Sequence, residues 1–310
     1  MDTLPPALKF TPPLINSANP WATTLEDLKA LYDTPSIGAV TTRTSLLKGF
    51  DNDPVKHQYI FFESKDHTAS SEPNIDQSAS LNSLGYSPIP LEEYLSFINQ
   101  ICLPHADVEN TRPSKGFIVS VTGAPEEVAK SYRLIASTQA ELRRTPLAME
   151  INLSCPNIPN KPPPAYSKDT LVEYITQLRE LIGATPNTPR IPFGLKTPPY
   201  THSTEYEALI GALEESARGG VSPVSFLTAT NTLGSYPLAL GNVATLRRML
   251  DERRAELGHI QIIGIGGVLD GAGYRRMRAA GAHVVGVGTG LGLKGLKIFN
   301  EIENGLEGRW

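Results

Sequence analysis

Apolar residues along this chain fall in short runs, each followed by polar or glycine-rich positions and then by a helical pattern. The runs are Gly38 to Thr42, Ser80 to Gly85, Phe117 to Gly123, Ala148 to Ser154, Phe193 to Thr197, Ser225 to Asn231, Ile260 to Gly267 and Val284 to Thr289. Their length and their bounding turn residues mark them as strands. Between them the spacing predicts helices over Leu25 to Leu31, Leu91 to Ile101, Pro125 to Leu142 and Asp169 to Ile182. Four more follow over Tyr206 to Ala217, Val243 to Leu257, Ala272 to Ala280 and Leu296 to Leu306. Strands alternating with helices imply βαβ units and a parallel sheet. Eight such pairs suggest a closed (β/α)8 TIM barrel, with an open doubly wound sheet as the alternative.

Two features favour the barrel. Nearly every strand ends in a polar or glycine position: Arg43 and Thr44, Asn82, Ser120 and Thr122, Asn152, Lys196, Asn231, Gly266, Thr289. A barrel gathers all such ends around one mouth, whereas an open sheet offers only the crevice where strand order reverses. The last two strands also carry Gly264-Ile265-Gly266-Gly267 and Gly286-Val287-Gly288-Thr289-Gly290. Barrels often hold phosphate in those two loops, where glycines let backbone N–H groups approach an anion. Two stretches break the alternation. Asp51 to Ser80 is polar and reads as an excursion over the mouth; Pro159 to Tyr166, with four prolines, is a candidate lid.

The densest chemistry is Asn152-Leu153-Ser154-Cys155-Pro156-Asn157, directly after the apolar run that starts at Leu147. Pro156 stops the strand, and polar side chains at a strand's C-terminal end are where barrel enzymes place catalysis. An isolated cysteine is more often a small buried hydrophobe. Here the flanking asparagines favour a polar pocket, because a buried carboxamide needs partners for both its C=O and its NH2 and a bound ligand would supply them.

Composition narrows the function class. Hydrophobic residues make up 40% and charged residues 19%, ordinary for a globular chain with a substantial core. The net charge of -4 gives no reason to expect nucleic acid or an anionic membrane as partner. Cys102 and Cys155 are the only cysteines, so no disulfide framework is implied and a reducing, cytoplasmic setting fits best. Met1 to Trp21 reads as neither signal nor transit peptide, and no run approaches a membrane span. Neither Cys102 nor the six histidines show metal-ligand spacing.

Four segments together resemble the dihydroorotate dehydrogenases: Glu150 to Pro162, Asn82 to Gly85, Gly194 to Tyr200 and Gln261 to Gly267. The cysteine at the strand end is similar to the soluble, fumarate-type class 1A branch; the membrane-bound branch uses serine there. The resemblance implies a single FMN-binding barrel domain over residues 1–310 that oxidises (S)-dihydroorotate to orotate in de novo pyrimidine synthesis. Fumarate would be the electron acceptor and the assembly a cytoplasmic homodimer. Carried over residue by residue, Cys155 would be the base that takes the C5 proton. Asn82, Asn152, Asn157, Asn231 and Thr232 would hold the substrate's carboxylate and ring amides. Lys196 would sit at the flavin N1/O2 end, Ser17 and Ala18 along the isoalloxazine, and Gly266, Gly267, Gly288 and Thr289 at the phosphate. Arg43 would touch both flavin and substrate, with Thr44 and Asn152 also on the cofactor.

The residue types suit that chemistry. Carboxamides match the alternating donors and acceptors of a diamide ring, and an ammonium stabilises negative charge developing at a reduced flavin. A thiol, with an ordinary pKa of about 8.5, needs only modest tuning to act as base. The chain departs from the family pattern twice. Arg43 replaces a lysine, a larger and planar cation that keeps its proton. The family's long excursion after Asn231 is also missing, with only Thr232 to Ala239 before the next helix. Two other readings stand beside the leading one: an impaired barrel that binds a ligand or regulates, and a Schiff-base aldolase built on Lys196. The second lacks a dedicated acid/base pair around the lysine.

Overall fold

The period-two alternation along the strands is what turns this sheet into a closed surface with a dry outside and a graded inside. The computed structural model describes residues 4–63, 69–70, 77–103, 115–142, 144–155, 162–231 and 236–310. In chain order its strands are β1 (Leu14–Asn16), β2 (Ala39–Thr41), β3 (Tyr59–Phe62), β4 (Ala69–Ser70), β5 (Ala79–Asn82) and β6 (Gly116–Val121). Then follow β7 (Leu147–Asn152), β8 (Phe193–Thr197), β9 (Phe226–Ala229), β10 (Gln261–Ile265) and β11 (Val284–Val287). The helices are α1 (Leu25–Asp33), α2 (Leu91–Cys102), α3 (Pro125–Glu141), α4 (Lys168–Ala184) and α5 (Ser203–Ala217). After them come α6 (Tyr236–Glu252), α7 (Arg254–Leu257), α8 (Gly271–Ala279), α9 (Thr289–Lys294) and α10 (Lys297–Leu306).

Eight parallel strands close into a barrel in the order β1-β11-β10-β9-β8-β7-β6-β2, and β4-β3-β5 form a separate sheet. The (β/α)8 barrel is therefore present, but one strand of the expected set is not in it. Ser80 to Gly85 was the second strand by pattern; β5, which covers its start, pairs antiparallel with β3 instead. The vacant place belongs to Leu14–Asn16. This strand is only three residues long and follows Pro12 and Pro13, so no apolar run announces it.

A side chain makes up for that shortness. Between β1 and β2 the register has a single pair, Ile15 with Ala39. The buried Asn16 carboxamide continues the ladder: its Nδ2 donates to the Thr41 carbonyl (2.7 Å), and its Oδ1 accepts from the Thr41 N–H (2.9 Å). Asn16 thus copies a backbone amide and completes the seam.

Inward positions are apolar in the lower barrel: Ile15, Ala39, Ile118, Ala148, Phe226, Ile263 and Val284 form one cluster, with Leu8 and Phe10 closing the N-terminal end. The alternate positions, among them Val40, Val119, Met149, Leu195, Leu227 and Val285, pack outward against the helices. Two residues further along most strands the inward set becomes polar and stays buried, as Thr41, Ser120, Glu150, Lys196 and Thr228, while Ile265 on β10 remains apolar. The next step reaches Arg43, Thr122 and Asn152 at the mouth.

The helix expected over Val243 to Leu257 starts earlier, at Tyr236, and breaks at Arg253 into α6 and α7. That leaves an even shorter connection from β9 than the sequence suggested. Among the described residues no helix is long and apolar enough to cross a membrane.

Asn16→Leu keeps the volume of the side chain and removes both seam bonds. It strands a buried N–H and a buried C=O of Thr41, each costing about 1–3 kcal/mol. Urea denaturation should show a loss of that order; an unchanged midpoint would mean the seam closes without the carboxamide.

Candidate functional site

The strand ends converge on a cavity of about 270 Å³ at the C-terminal mouth of the barrel. Its wall combines Ser17 and Ala18 after β1, Arg43 and Thr44 after β2, Asn152 and Cys155 after β7, Lys196 on β8, Asn231 after β9, and Gly288 and Thr289 after β11. The small sheet supplies Tyr59, Ser80, Leu81 and Asn82, so the described part of the Asp51 to Ser80 excursion reaches the mouth through Tyr59 and Ser80. Eleven of the residues singled out in the sequence meet here. Asn157 and Thr232 lie outside the described residues. Gly266 and Gly267 do not form part of the wall; both have positive φ (135° and 64°) and turn the chain after β10. Of the candidate lid, Pro162 to Tyr166 is described and lies off the cavity, anchored by the Ala165 N–H on the Leu153 carbonyl (3.2 Å) and the Tyr200 hydroxyl on the Ala165 carbonyl (2.7 Å).

A directed chain of hydrogen bonds runs down from the mouth. Ser120 Oγ donates to Glu150 Oε1 (2.8 Å), so the Thr44 hydroxyl, 2.9 Å from Ser120 Oγ, must donate to it. Thr44 Oγ1 in turn accepts from Asn152 Nδ2 (2.9 Å). The chain fixes which end of the Asn152 carboxamide is nitrogen. Its oxygen accepts from the Ser154 hydroxyl (2.9 Å) and N–H (3.3 Å). The expectation that a ligand must satisfy this asparagine is thereby corrected: the protein supplies partners at both ends and leaves only one N–H to spare. Asn231 Nδ2 donates to the Ser154 carbonyl (3.1 Å), bracing the turn that presents Cys155.

Lys196 is the opposite case. Its side chain is buried, 4% exposed, and among the described residues its ammonium has neither a hydrogen bond nor an ion pair. A cation held in that state at a cavity wall is set up for an anionic or electron-rich ligand. Arg43 is half-buried, donates to the Gly85 carbonyl (3.3 Å), and burial pulls its guanidinium below its ordinary pKa, countered in part by Tyr94. It remains a cation at neutral pH. At Gly288 an added Cβ would come within 3.1 Å of Ser17 Oγ, so glycine keeps that corner of the cavity open beside the first turn of α9. There the Thr289 and Ser80 hydroxyls share a hydrogen bond (2.7 Å), tying the small sheet to the barrel. No group of side chains suited to a metal ion occurs among the described residues.

Residues 71–309 match the profile of the family described as dihydroorotate dehydrogenase. The chain belongs to that family. Among its relatives is the dihydroorotate dehydrogenase (fumarate) of Trypanosoma cruzi, 26% identical over 96% of this chain and 89% of the relative. The dihydroorotate dehydrogenase A (fumarate) of Lactococcus lactis is 24% identical over 96% and 90%. The fold is shared with two structures from Eimeria tenella. One is a dihydroorotate dehydrogenase with ferulenol (TM-score 0.71, 17% identity, 97% of this chain and 82% of that one). The other is the ligand-free form (0.72, 16%, 94% and 83%).

Sequence reasoning missed several members of the wall, among them Trp21, Tyr59 and Tyr86. Trp21 follows Ser17 closely and Tyr86 follows Gly85 directly, so proximity to named positions was the available signal.

The unpartnered ammonium yields a test that needs no ligand. Lys196→Met should stabilise the ligand-free protein by up to about 1 kcal/mol, because a cationic tip that only the cavity can solvate is replaced by an apolar one on a buried stem. Thermal unfolding of ligand-free samples measures it; a lower Tm for the variant would show that the ammonium is stabilised within the protein.

Proposed function

We propose that this protein is an FMN-dependent dihydroorotate dehydrogenase that converts (S)-dihydroorotate to orotate in pyrimidine synthesis and passes the electrons to fumarate. The observation that carries this reading is one cavity that unites a strand-end thiol, an ammonium with no partner among the described residues and four carboxamides, in a chain of that family. The reading treats residues 1–310 as a single FMN-binding domain working in the cytoplasm as a homodimer.

The site suits FMN on its own features. Lys196 offers positive charge without a protein counter-ion, and the open corner at Gly288 adjoins the Thr289 hydroxyl. When bound, FMN supplies a two-electron acceptor. Ser17 and Ala18 would flank its ring system and Lys196 would compensate charge at the N1/O2 end. Gly288 and Thr289, with Gly266 and Gly267 at the adjoining strand end, would hold its phosphate.

Cys155 removes the proton from C5 of the substrate and keeps it on Sγ. Asn82, Asn152 and Asn231, joined by Asn157 and Thr232, orient the ring and carboxylate so that C5 faces the sulfur. Asn152 is fixed at both ends of its carboxamide, by Thr44 and by Ser154. Arg43 serves the substrate carboxylate, a task its fork of donors suits.

A second reading, a barrel that binds FMN or substrate without turnover, draws on Arg43 and on the short connection between Ala229 and Tyr236. An FMN titration followed by assay with dihydroorotate and fumarate separates the two. Saturable FMN binding with turnover supports the first, binding without turnover the second, and no FMN binding rejects the first together with the cofactor. Within the first reading, Cys155→Ala should retain FMN and lose flavin reduction by about 10²–10⁴-fold, the usual contribution of a positioned base. Stopped-flow reduction at a near wild-type rate in that variant would reject Cys155 as the base.

A further inference from the structure

Glu150 is buried inside the barrel on β7 and is not part of the cavity wall. Its register partners across the sheet are Ser120 on β6 and Gly194 on β8, so one neighbour offers a hydroxyl and the other no side chain. Glu150 Oε1 accepts from Ser120 Oγ (2.8 Å) and is the last acceptor of the chain that starts at Asn152. A carboxylate has no hydrogen to give, so it sets the direction of every bond above it. Ser120 donates to Glu150, Thr44 donates to Ser120 (2.9 Å), and the Thr44 oxygen is left to accept from Asn152 Nδ2.

That direction decides what Asn152 shows to the cavity it lines. Its Oδ1 already takes two hydrogens, from the Ser154 hydroxyl (2.9 Å) and N–H (3.3 Å). Its Nδ2 gives one hydrogen to Thr44 (2.9 Å) and keeps one without a partner among the described residues. Toward a ligand the side chain is therefore a donor. Were the chain reversed, the Thr44 hydroxyl would donate to Oδ1, and the same place in the wall would hold an acceptor.

Two buried hydrogens compete over the outcome. Reversal turns an NH2 group toward the Ser154 N–H, which then loses its acceptor. The present direction instead requires an acceptor for the Ser120 hydroxyl. With Glu150 in place only the present direction satisfies both. Without it each direction strands one hydrogen, at Ser120 or at Ser154, and the carboxamide is no longer tied to one orientation.

We propose that Glu150 is a positioning residue that holds Asn152 with an N–H toward the ligand, so that this point of the site takes a carbonyl or carboxylate oxygen and rejects an N–H donor. Glu150 acts as an acceptor at the foot of the chain, not through its charge. The inference rests on the role proposed above for Asn152 in holding the substrate.

The test uses the full-length protein and two variants that separate acceptor from charge. Glu150→Gln loses the charge but can still present an amide oxygen to Ser120; Glu150→Leu loses both. The first readout needs no ligand. It is the side-chain NH2 resonances of protein carrying isotope-labelled asparagine, with Asn152 identified by the signal missing from Asn152→Ala. Glu150→Gln should keep the wild-type Asn152 resonances, and Glu150→Leu should shift or double them. The second readout is orotate binding by calorimetry with FMN present. Glu150→Leu should weaken it about tenfold, the loss of one hydrogen bond, with Glu150→Gln within about twofold of wild type. In an Asn152→Ala background Glu150→Leu should cost nothing further. If Glu150→Leu does not fold, Ser120→Ala breaks the same chain, keeps the charge and should reproduce both effects. Unmoved Asn152 resonances, equal losses for the two Glu150 variants, or a loss that persists without Asn152 overturn the proposal. No orotate binding by the wild-type protein rejects the substrate reading, and the resonances alone then decide whether Glu150 orients Asn152.

Discussion

The mouth of this barrel depends on a bond at its seam. A sheet closes only if its last strand finds its first, and here β1 is too short to present a full ladder to β2. The Asn16 carboxamide supplies the missing donor and acceptor for Thr41, and its Nδ2 also reaches the Ser17 carbonyl (3.1 Å). The atoms that seal the barrel therefore also set the position of the cavity's first wall. Were the seam open, Ser17 and Arg43 would no longer be held on adjoining strand ends facing Asn152 and Lys196.

With closure secured, the inside of the barrel changes character along the strands. Apolar side chains fill the lower part, while the next inward level holds Ser120, Glu150, Thr228 and Lys196 out of water. Two of these levels' hydroxyls, Thr41 Oγ1 and Thr228 Oγ1, have no partner among the described residues. Such groups oppose stability, and proteins tend to concentrate them where a ligand or reaction needs them. The chain from Asn152 through Thr44 and Ser120 to Glu150 does the reverse, because each hydroxyl donor is assigned and both ends of the Asn152 carboxamide are held. The site thus joins a rigid, satisfied half to a half left open for something to bind.

Most of the architecture was legible because seven barrel strands are apolar runs with clear polar ends. Leu14–Asn16 was not, since a side chain does the pairing that a longer strand would do in backbone. Ser80 to Gly85 reads as a barrel strand from its place in the series of runs and from Asn82; such a pattern tells a strand from a helix but not which sheet it joins. At the site, Cys155, Asn152 and Lys196 stood out from their position at strand ends. Gly266 and Gly267 stood out too, yet they shape a turn next to the cavity and not its wall.

Trp21 joins three parts of the molecule at once. Its ring stacks on Phe61 (centroids 5.7 Å), meets Tyr59 edge-on (5.3 Å), and occupies the space above Gly292 on α9, where even a methyl group would collide with it. The chain has only one other tryptophan, Trp310, which packs on Tyr274 at the C-terminus. Half of the indoles thus sit in the cavity wall, on the contact between barrel, overlying sheet and final βα turn. The molecule carries a built-in fluorophore at the spot where an arriving aromatic ligand would change its surroundings, while the second indole lies outside the cavity wall.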